Sequence, residues 1–287
     1  MRVSLLAGAA LVLLLAATAC GERKEPTGAL VQVFPVTVQG GGDHVTVVAS
    51  APRRIVPVGP GPRQILNALG LRKRIVTVND TLVGLPLVGE IRRAKPDLIV
   101  ASGDTDPLDL ARARAATHAA VYVEPSSSLD DVVEAIGDIG LATGRPTRAR
   151  KLTAAIQARR RAVARELAGT GVVTVFVDNG DFSTISTRSL LGALVTEANG
   201  RSVAGPSPEQ GPFPLRRLLG LDPDLYLATA GSGRTLKELR SRTGARRLRS
   251  VRTGHFAILP RDASVAGTHV GRSLEEVARL LHPDALR

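Results

Sequence analysis

The stretch Lys95–Gly103 reads KPDLIVASG, and Asp222–Gly231 reads DPDLYLATAG. In each copy a proline ends a short helix, a run of buried-type residues predicts a strand, and small residues predict the loop that follows. A strand–loop–helix–strand unit lies upstream of each copy. The repetition predicts two similar lobes. Coincidence is the alternative, because such units recur in α/β folds.

Strands and helices alternate on both sides of these copies, which predicts an α/β fold with largely parallel sheets. A hairpin is predicted within Val31–Val48, around a glycine-rich turn. The clearest helix is Leu129–Thr143, which Ser128 caps and Gly144 ends. The other predicted strands are Arg54–Val58, Arg74–Val78, Asp97–Ala101, Ala120–Val123, Val172–Val177, Asp224–Ala228 and His255–Leu259. The other predicted helices are Arg63–Leu69, Glu90–Lys95, Leu108–Thr117, Ser189–Asn199, Leu215–Leu221, Leu236–Arg242 and Ser273–Leu281.

The longest helical pattern, Thr147–Ala168, separates the two copies of the repeat. At 1.5 Å per residue it is roughly 32 Å long, enough to run the depth of one lobe and reach the next. We therefore expect an N-terminal lobe at 31–146, a linking helix at 147–169 and a C-terminal lobe at 170–287. The arginines at 159–161 are predicted to form a solvated face of this helix.

Composition limits the classes of protein to consider. The 287 residues are 44% hydrophobic and 22% charged, which excludes a disordered chain, a collagen and a multi-span membrane protein. Aromatic residues make up 2% and Trp is absent, so base-stacking surfaces are not expected. A single Cys excludes an intramolecular disulfide. The net charge of +12 favours anionic partners.

The first residues are typical of a secretion signal at 1–19. Arg2 precedes the apolar run Leu5–Ala17, which is shorter than the roughly 20 residues that span a bilayer. Small residues then lead to Cys20, in a pattern that resembles a bacterial lipobox. The pattern implies that Cys20 is acylated and that 20–30 is a lipidated tether. We expect an extracytoplasmic protein, lipid-anchored to the cell membrane, for which nucleic acid is not a partner. An ordinary signal peptide cut before Cys20 is the alternative.

Taken in order, several segments resemble the periplasmic binding proteins that serve ABC importers of ferric siderophores, haem and cobalamin. The resemblance covers about Arg53 to Pro283. It implies a helical-backbone substrate-binding-protein fold, in which two α/β lobes are joined by one long helix. The segments that carry it are Pro52–Val56, Lys95–Ile99, Ser128–Val132, Leu194–Val203, Leu248–Phe256 and Leu280–Pro283.

The resemblance also implies a partner, an ABC permease that docks onto one glutamate of each lobe. Glu90 stands about one residue out of register with the first of these glutamates. Arg216 stands at the second position, where Glu209 is the nearest substitute. The docking pair is therefore half missing, and a non-transport ligand sensor or a degenerate paralogue of the same fold stays open beside an importer component.

Loops that follow the predicted strands would line a cleft between the lobes, because ligands in open α/β sheets bind beyond the carboxyl ends of strands. Arginines there can pair with an anionic chelate such as a ferric siderophore, cobalamin or haem, and a few aromatic residues can offer flat surfaces. The candidate ligand-binding residues are Arg63, Asn79, Asp80, Asp104, Tyr122, Phe182, Arg188, Phe213, Arg234 and His269.

The sequence gives less support to other functions. The five histidines are scattered, and His269 alone falls in a predicted cleft loop, so direct metal capture is the minor alternative. The segment Gly231–Gly233 lacks the G-x-S-x-G pattern of a nucleophile elbow, although an extracytoplasmic hydrolase stays open. We expect a monomer that carries out no catalysis and has no resident cofactor, with a ferric chelate as one class of ligand.

Overall fold

Two parallel sheets carry the repeated motifs, one in each half of the chain. The computed structural model describes residues 33–79, 85–205 and 212–286. Cys20, Asp80 and Glu209 lie outside these ranges, as do the predicted signal and most of the tether. No helix in the described ranges combines the length and apolar character needed to cross a bilayer.

The first half is an N-terminal lobe of five strands and four helices among the described residues. An antiparallel hairpin pairs Val36 with Val48, as the sequence predicts. The strands are β1 (Val36–Gln39), β2 (Val45–Val48), β3 (Ile55–Val58), β4 (Leu98–Ala101) and β5 (Ala120–Val123), and the helices are α1 (Pro60–Ala68), α2 (Leu85–Ala94), α3 (Pro107–Thr117) and α4 (Leu129–Ala142).

One long helix, α5 (Pro146–Glu166), leads into the C-terminal lobe, whose described part holds four strands and five helices. The short strand β7 and helix α9 were not predicted, because three to five residues give too short a pattern. The strands are β6 (Val173–Asp178), β7 (Gly200–Ser202), β8 (Leu225–Thr229) and β9 (Phe256–Leu259), and the helices are α6 (Leu190–Glu197), α7 (Leu215–Leu221), α8 (Leu236–Ser241), α9 (Arg249–Thr253) and α10 (Val270–Leu281).

Both sheets have the same strand order, which confirms two similar α/β lobes. The second sheet runs β7-β6-β8-β9, and the first runs β3-β4-β5. A single parallel bridge between Ile75 and Ile55 stands where β7 stands in the second sheet. The strand predicted at Arg74–Val78 is therefore reduced to this bridge. All pairings within the two sheets are parallel.

The repeated Pro-Asp-Leu segment has the same structural role in each lobe. The Asp97 carboxylate accepts hydrogen bonds from the backbone N–H groups of Arg53 and Arg54, at 2.7 and 3.0 Å. The Asp224 carboxylate accepts one from the N–H of Thr174 at 2.9 Å. Each aspartate thus binds the backbone at the start of the neighbouring first strand. These hydrogen bonds give the backbone N–H groups at the start of each first strand a partner, which explains why the motif occurs twice.

Helix α4 begins and ends where its sequence predicts. Ser128 accepts a hydrogen bond from the N–H of Asp131 at 3.1 Å, and Asp131 accepts one from the N–H of Ser128 at 3.1 Å. This is a capping box. Gly144 follows with φ of 71°, a left-handed conformation that glycine adopts without strain. By contrast, α1 begins three residues earlier than predicted, because Pro60 occupies a first-turn position where no N–H is needed.

Helix α5 packs against one helix from each lobe. A Cβ on Gly140 of α4 would overlap the Cβ of Ala149, and a Cβ on Gly271 of α10 would lie 3.4 Å from the backbone of Ile156. Glycine at both points lets the helices approach closely. The helix has 21 residues and is therefore about 32 Å long.

Arg160, midway along α5, joins the two lobes through their carboxylates. Its guanidinium contacts Asp130 at the start of α4, with Nη1–Oδ1 at 2.6 Å. It also contacts Glu197 at the end of α6, with Nε–Oε2 at 2.8 Å and Nη2–Oε1 at 2.9 Å. The predicted solvated face is corrected at this residue, because its side chain is 30% exposed and its planar guanidinium binds both acids.

We expect Arg160→Met to lower the free energy of unfolding by about 1–2 kcal/mol, because two carboxylates lose their shared cation. Urea denaturation measures the change. Arg161→Met is the matched control, since Arg161 is an exposed neighbour on the same helix. Equal losses in the two variants would contradict a bridging role for Arg160.

Candidate functional site

The carboxyl ends of the two sheets meet where α1 follows β3. A Cβ on Gly61 of α1 would overlap the carbonyl oxygen of Ala266, which lies in the loop between β9 and α10. Next to it, a Cβ on Gly267 would lie 2.5 Å from Oε1 of Gln64. The lobes therefore touch at this point, which we call the floor contact. The loops that leave the carboxyl ends of the strands face the cleft beside it.

A hollow of about 230 Å³ lies at the carboxyl edge of the C-terminal sheet. Arg261 is an exposed cation at this hollow and forms no ion pair within the described ranges. The Thr229 hydroxyl donates to Oδ1 of Asn179 at 3.0 Å. Hydroxyl, amide and guanidinium groups together can bind an oxygen-rich or anionic group. The lining residues are Asn179, Leu191, Thr229, Ala230, Gly231, Leu259, Pro260, Arg261, Ala263 and Ser264.

Sequence reasoning missed Arg261, because His269 was the residue it selected from the loop after the last strand. The signal was present, since Pro260 and Arg261 directly follow the predicted strand. In α/β folds the residue directly after a strand lies nearest the carboxyl edge of the sheet.

Glu124, the residue after β5, is a second group that the sequence did not indicate. Its side chain is buried, with 1% exposed, against Gly61 at the floor contact. The Ser102 hydroxyl donates to Oε1 at 3.3 Å, whereas Oε2 has no hydrogen-bond partner among the described residues. Burial raises the pKa of Glu124 to about 8; the Asp104 charge adds to this rise and the Ser102 hydrogen bond opposes it.

Arg234 was predicted to contact an anion, but in the structure its guanidinium forms ion pairs within the C-terminal lobe. Its Nε lies 3.0 Å from Oδ2 of Asp178, and its Nη2 lies 3.0 Å from Oδ1 of Asp181. Its Nη1 lies 2.7 Å from Oε1 of Glu238. Asp178 is fully buried and also accepts a hydrogen bond from the Tyr226 hydroxyl. The anion contact predicted at Arg234 is therefore corrected, because three carboxylates already balance the guanidinium.

The three predicted aromatic contacts are core residues, which corrects the expectation of flat ligand surfaces. Phe182 is 5% exposed and lies between the guanidinium groups of Arg234 and Arg242, at 5.2 and 4.8 Å from its ring centre. Phe213 is 3% exposed and packs on Phe176. Tyr122 is fully buried, and its hydroxyl donates to Asp138 at 3.4 Å. None of these three rings presents a face to the cleft.

The other predicted contacts lie on the loops and helix ends near the cleft, and their role stays a prediction. Arg63 is half-buried on the first turns of α1. Asp104, Arg188 and His269 are exposed, the first in the loop after β4, the second just before α6 and the third as the residue that precedes α10. Asn79 is exposed, and its backbone N–H donates to Glu90 at 2.8 Å.

Glu90, the predicted docking residue, is partly exposed on α2. Besides the bond from Asn79, its carboxylate lies 3.9 Å from the guanidinium of Arg93. Its docking role stays a prediction. Within 33–79, 85–205 and 212–286, no group of three or more His, Cys, Asp or Glu side chains is arranged to hold a metal ion.

A larger hollow of about 500 Å³ lies in the N-terminal lobe alone. Its walls are the turn of the hairpin, the first half of α3 and the loop between β5 and α4. Since every lining residue belongs to one lobe, this hollow is not the space between the two sheets. Its polar lining residues are His44, Thr105, Arg114, Glu124, Ser126, Ser127 and Asp131.

We expect Arg234→Gln to lower the free energy of unfolding by more than about 3 kcal/mol, because it leaves the buried Asp178 charge unpaired. Arg188→Gln, at an exposed arginine of the same lobe, should change it by less than about 0.5 kcal/mol. Chemical denaturation of both variants measures the difference. Small and equal changes would show that Arg234 is available to a ligand after all.

Among characterised sequences, a cobalamin-binding protein from Halobacterium salinarum is 24% identical over 222 residues, which are 70% of this chain. The match spans 60% of the length of that relative. An uncharacterised ABC transporter substrate-binding lipoprotein of Bacillus subtilis, YvrC, is 22% identical over 283 residues, with 89% of this chain and 88% of the relative covered.

Solved structures share the fold at low identity. CeuE of Helicobacter pylori with Ni(II) bound has a TM-score of 0.75 at 12% identity, covering 87% of this chain and 90% of that one. The vitamin B12 binding protein BtuF of Vibrio cholerae has a TM-score of 0.69 at 16% identity, covering 81% and 97%. The family described as periplasmic binding protein matches residues 55–263, which include both sheets and the whole of α5. The chain therefore belongs to the periplasmic binding protein family, whose members bind solutes and are not enzymes.

Proposed function

We propose that this chain is the extracytoplasmic solute-binding component of an ABC importer, and that it captures a metal chelate of the cobalamin or ferric-siderophore class. One observation carries the proposal: two parallel sheets meet at their carboxyl edges while α5 fixes their separation. Family membership and the name of the Bacillus subtilis relative support a substrate-binding component of an ABC transporter. The name of the Halobacterium salinarum relative supports the cobalamin class of solute.

The size of the hollow at Arg261 favours a ligand held by both lobes. Sites for small molecules have volumes of about 300–1,000 Å³, whereas this hollow has about 230 Å³. A bulky chelate seated there must extend to the facing loops. On the N-terminal side these carry Arg63, Asn79 and Asp104.

Charge favours an anionic or oxygen-rich face of the chelate toward the C-terminal lobe. Arg261 has no ion pair within the described ranges, whereas Arg234 in the same lobe is held by three carboxylates. Guanidinium binds carboxylate and phosphate oxygens in a bidentate manner, so Arg261 is the cation that we assign to the solute. Arg188 is exposed near the same edge and is the second choice.

Capture of this kind requires no covalent step. The solute is held by desolvation and hydrogen bonds, and the packing of α5 against α4 and α10 restricts how far the lobes rotate. We therefore expect a small change in shape on binding, of the size seen in preorganised complexes.

We expect equilibrium dialysis, read by the visible absorbance of the chelate, to give binding at micromolar concentration or below for one of two probes, cyanocobalamin or a ferric hydroxamate. Arg261→Gln should weaken that binding about tenfold, because a charged hydrogen bond is lost. Arg252→Gln is the control, since Arg252 is an exposed arginine on α9 of the same lobe. Absence of binding to both probes, or equal losses in both variants, would contradict the assignment.

Transport needs a separate measurement, because Glu90 stands without an identified partner on the other lobe. Uptake of the bound chelate into vesicles prepared from the source organism, with and without this protein, tests it. Binding without uptake would favour the ligand-sensor alternative.

We expect Cys20→Ser to move the protein from the membrane fraction to the soluble fraction, because the acyl chains that hold it at the surface are lost. Metabolic labelling with a palmitate analogue should mark the parent protein and not the variant. Retention of the unlabelled variant in membranes would contradict a lipid anchor at Cys20.

A further inference from the structure

Glu124 combines three features that the solute-binding role does not use. Its side chain is 1% exposed, it lies at the floor contact between the lobes, and its Oε2 has no hydrogen-bond partner among the described residues. Buried polar groups are almost always paired, so each exception needs an explanation. A second unpaired acceptor, Oε1 of Gln64, is buried on the same stretch of α1.

The carboxyl group of Glu124 lies against Gly61 at the floor contact, and Glu124 also lines the hollow of the N-terminal lobe. A Cβ on Gly61 would lie 2.7 Å from Oε1 of Glu124 and would also overlap the carbonyl oxygen of Ala266. The glutamate of one lobe and the carbonyl of the other thus lie against the same side of Gly61. The Ser102 hydroxyl, which belongs to the same lobe as Glu124, donates to Oε1.

A protonated Glu124 side chain fits the hydrogen-bonding groups around it. An ionised carboxylate can only accept hydrogen bonds, and among the described residues the Ser102 hydroxyl is the single donor to it. A protonated carboxyl group carries an O–H, and the Ala266 carbonyl oxygen is an acceptor on the facing lobe. Burial raises the pKa of Glu124 to about 8, in keeping with a neutral group at this place.

The charges around the site leave the carboxyl group without a counterion. Asp104, in the loop after β4, is the charged residue whose field acts on Glu124, and it favours the neutral form. Within the described ranges no cation forms an ion pair with Glu124. The other charged or titratable groups of the elements packed there are Arg63 on α1, His44 at the hairpin turn, Arg114 on α3, Asp130 and Asp131 at the start of α4, and Arg261, Asp262 and His269 between β9 and α10.

We propose that the floor contact is a pH-dependent latch, in which a proton on Glu124 keeps the Ala266–Gly267 segment seated against α1 and loss of that proton releases it. At a pKa of about 8, about one molecule in a hundred is ionised at pH 6 and about nine in ten at pH 9. Ionisation places a charge without donors in the contact, and parting the lobes there admits water. The latch does not depend on which solute the cleft binds.

Spin labels on the two lobes test the latch through the distance between them. The native thiol is removed by Cys20→Ser, so that only introduced thiols react with the label. The labels are placed at Ala115→Cys on α3 and Lys237→Cys on α8, which are both exposed positions. We expect the distance measured by pulsed electron resonance to lengthen or broaden from pH 6 to pH 9. With Glu124→Gln added, the pH 6 distance should persist at pH 9, because the amide keeps a donor and bears no charge.

Asp138→Asn is the matched control for other buried carboxyl groups. Burial raises the pKa of Asp138 to about 6, and Asp138 lies beside Tyr122, within the N-terminal lobe. In Asp138→Asn the distance between the labels should lengthen or broaden from pH 6 to pH 9, as it does in the parent. The proposal is overturned if the distance does not change with pH in the parent, or if it still changes with pH in Glu124→Gln.

Asp104→Asn provides a test that does not touch the buried site. Asp104 is exposed, and its charge raises the pKa of Glu124, so its removal should move the midpoint of opening to lower pH. This measurement decides the matter even if Glu124→Gln fails to fold. An unchanged midpoint in Asp104→Asn means that another group controls the opening and overturns the latch.

Discussion

The close packing of α5 against one helix from each lobe is the constraint on which the rest of the molecule depends. Glycines at 140 and 271 remove side chains where α4 and α10 cross it. Backbones packed at this distance have little freedom to slide, because any rotation brings side chains into overlap. Arg160 adds a charged connection between Asp130 and Glu197 at the same level. The packing of α5 thus limits how far the lobes can move relative to one another before any solute arrives.

Because α5 limits movement between the lobes, recognition of the solute depends on the loops. The regular elements differ little between the two lobes, since both sheets have the same order and both carry the Pro-Asp-Leu segment. The loops after the strands differ in chemistry. The N-terminal side places a neutralised, buried carboxyl group at Glu124, whereas the C-terminal side presents hydroxyl and amide groups with Arg261. An asymmetric cleft of this kind holds an asymmetric solute in one orientation.

The sequence predicted the parts of the fold that local chemistry determines. The N-cap at Ser128, the strand at Ala120–Val123 and the helix at Leu215–Leu221 all follow from neighbours in the chain. Site residues depend on partners far away in sequence, and there prediction was weaker. Tyr122 was expected at the cleft, yet in a chain so poor in aromatic residues each ring is needed in the core. The burial of Glu124 is set by Gly61 and Ala266, which no local pattern connects to it.

The ion pairs of the arginines show how much of the chain's positive charge is paired within the fold. Arg160, Arg234 and Arg249 each bind two or more acidic side chains, so much of the charge is used within the fold. At the edge of the cleft, two guanidinium groups, Arg234 and Arg242, face the three carboxylates of Asp178, Asp181 and Glu238. That cluster is acidic on balance and repels an anion that approaches it. In the proposed site, an anionic chelate would therefore approach Arg261, and the position of this one arginine would matter more to the solute than the net charge of +12.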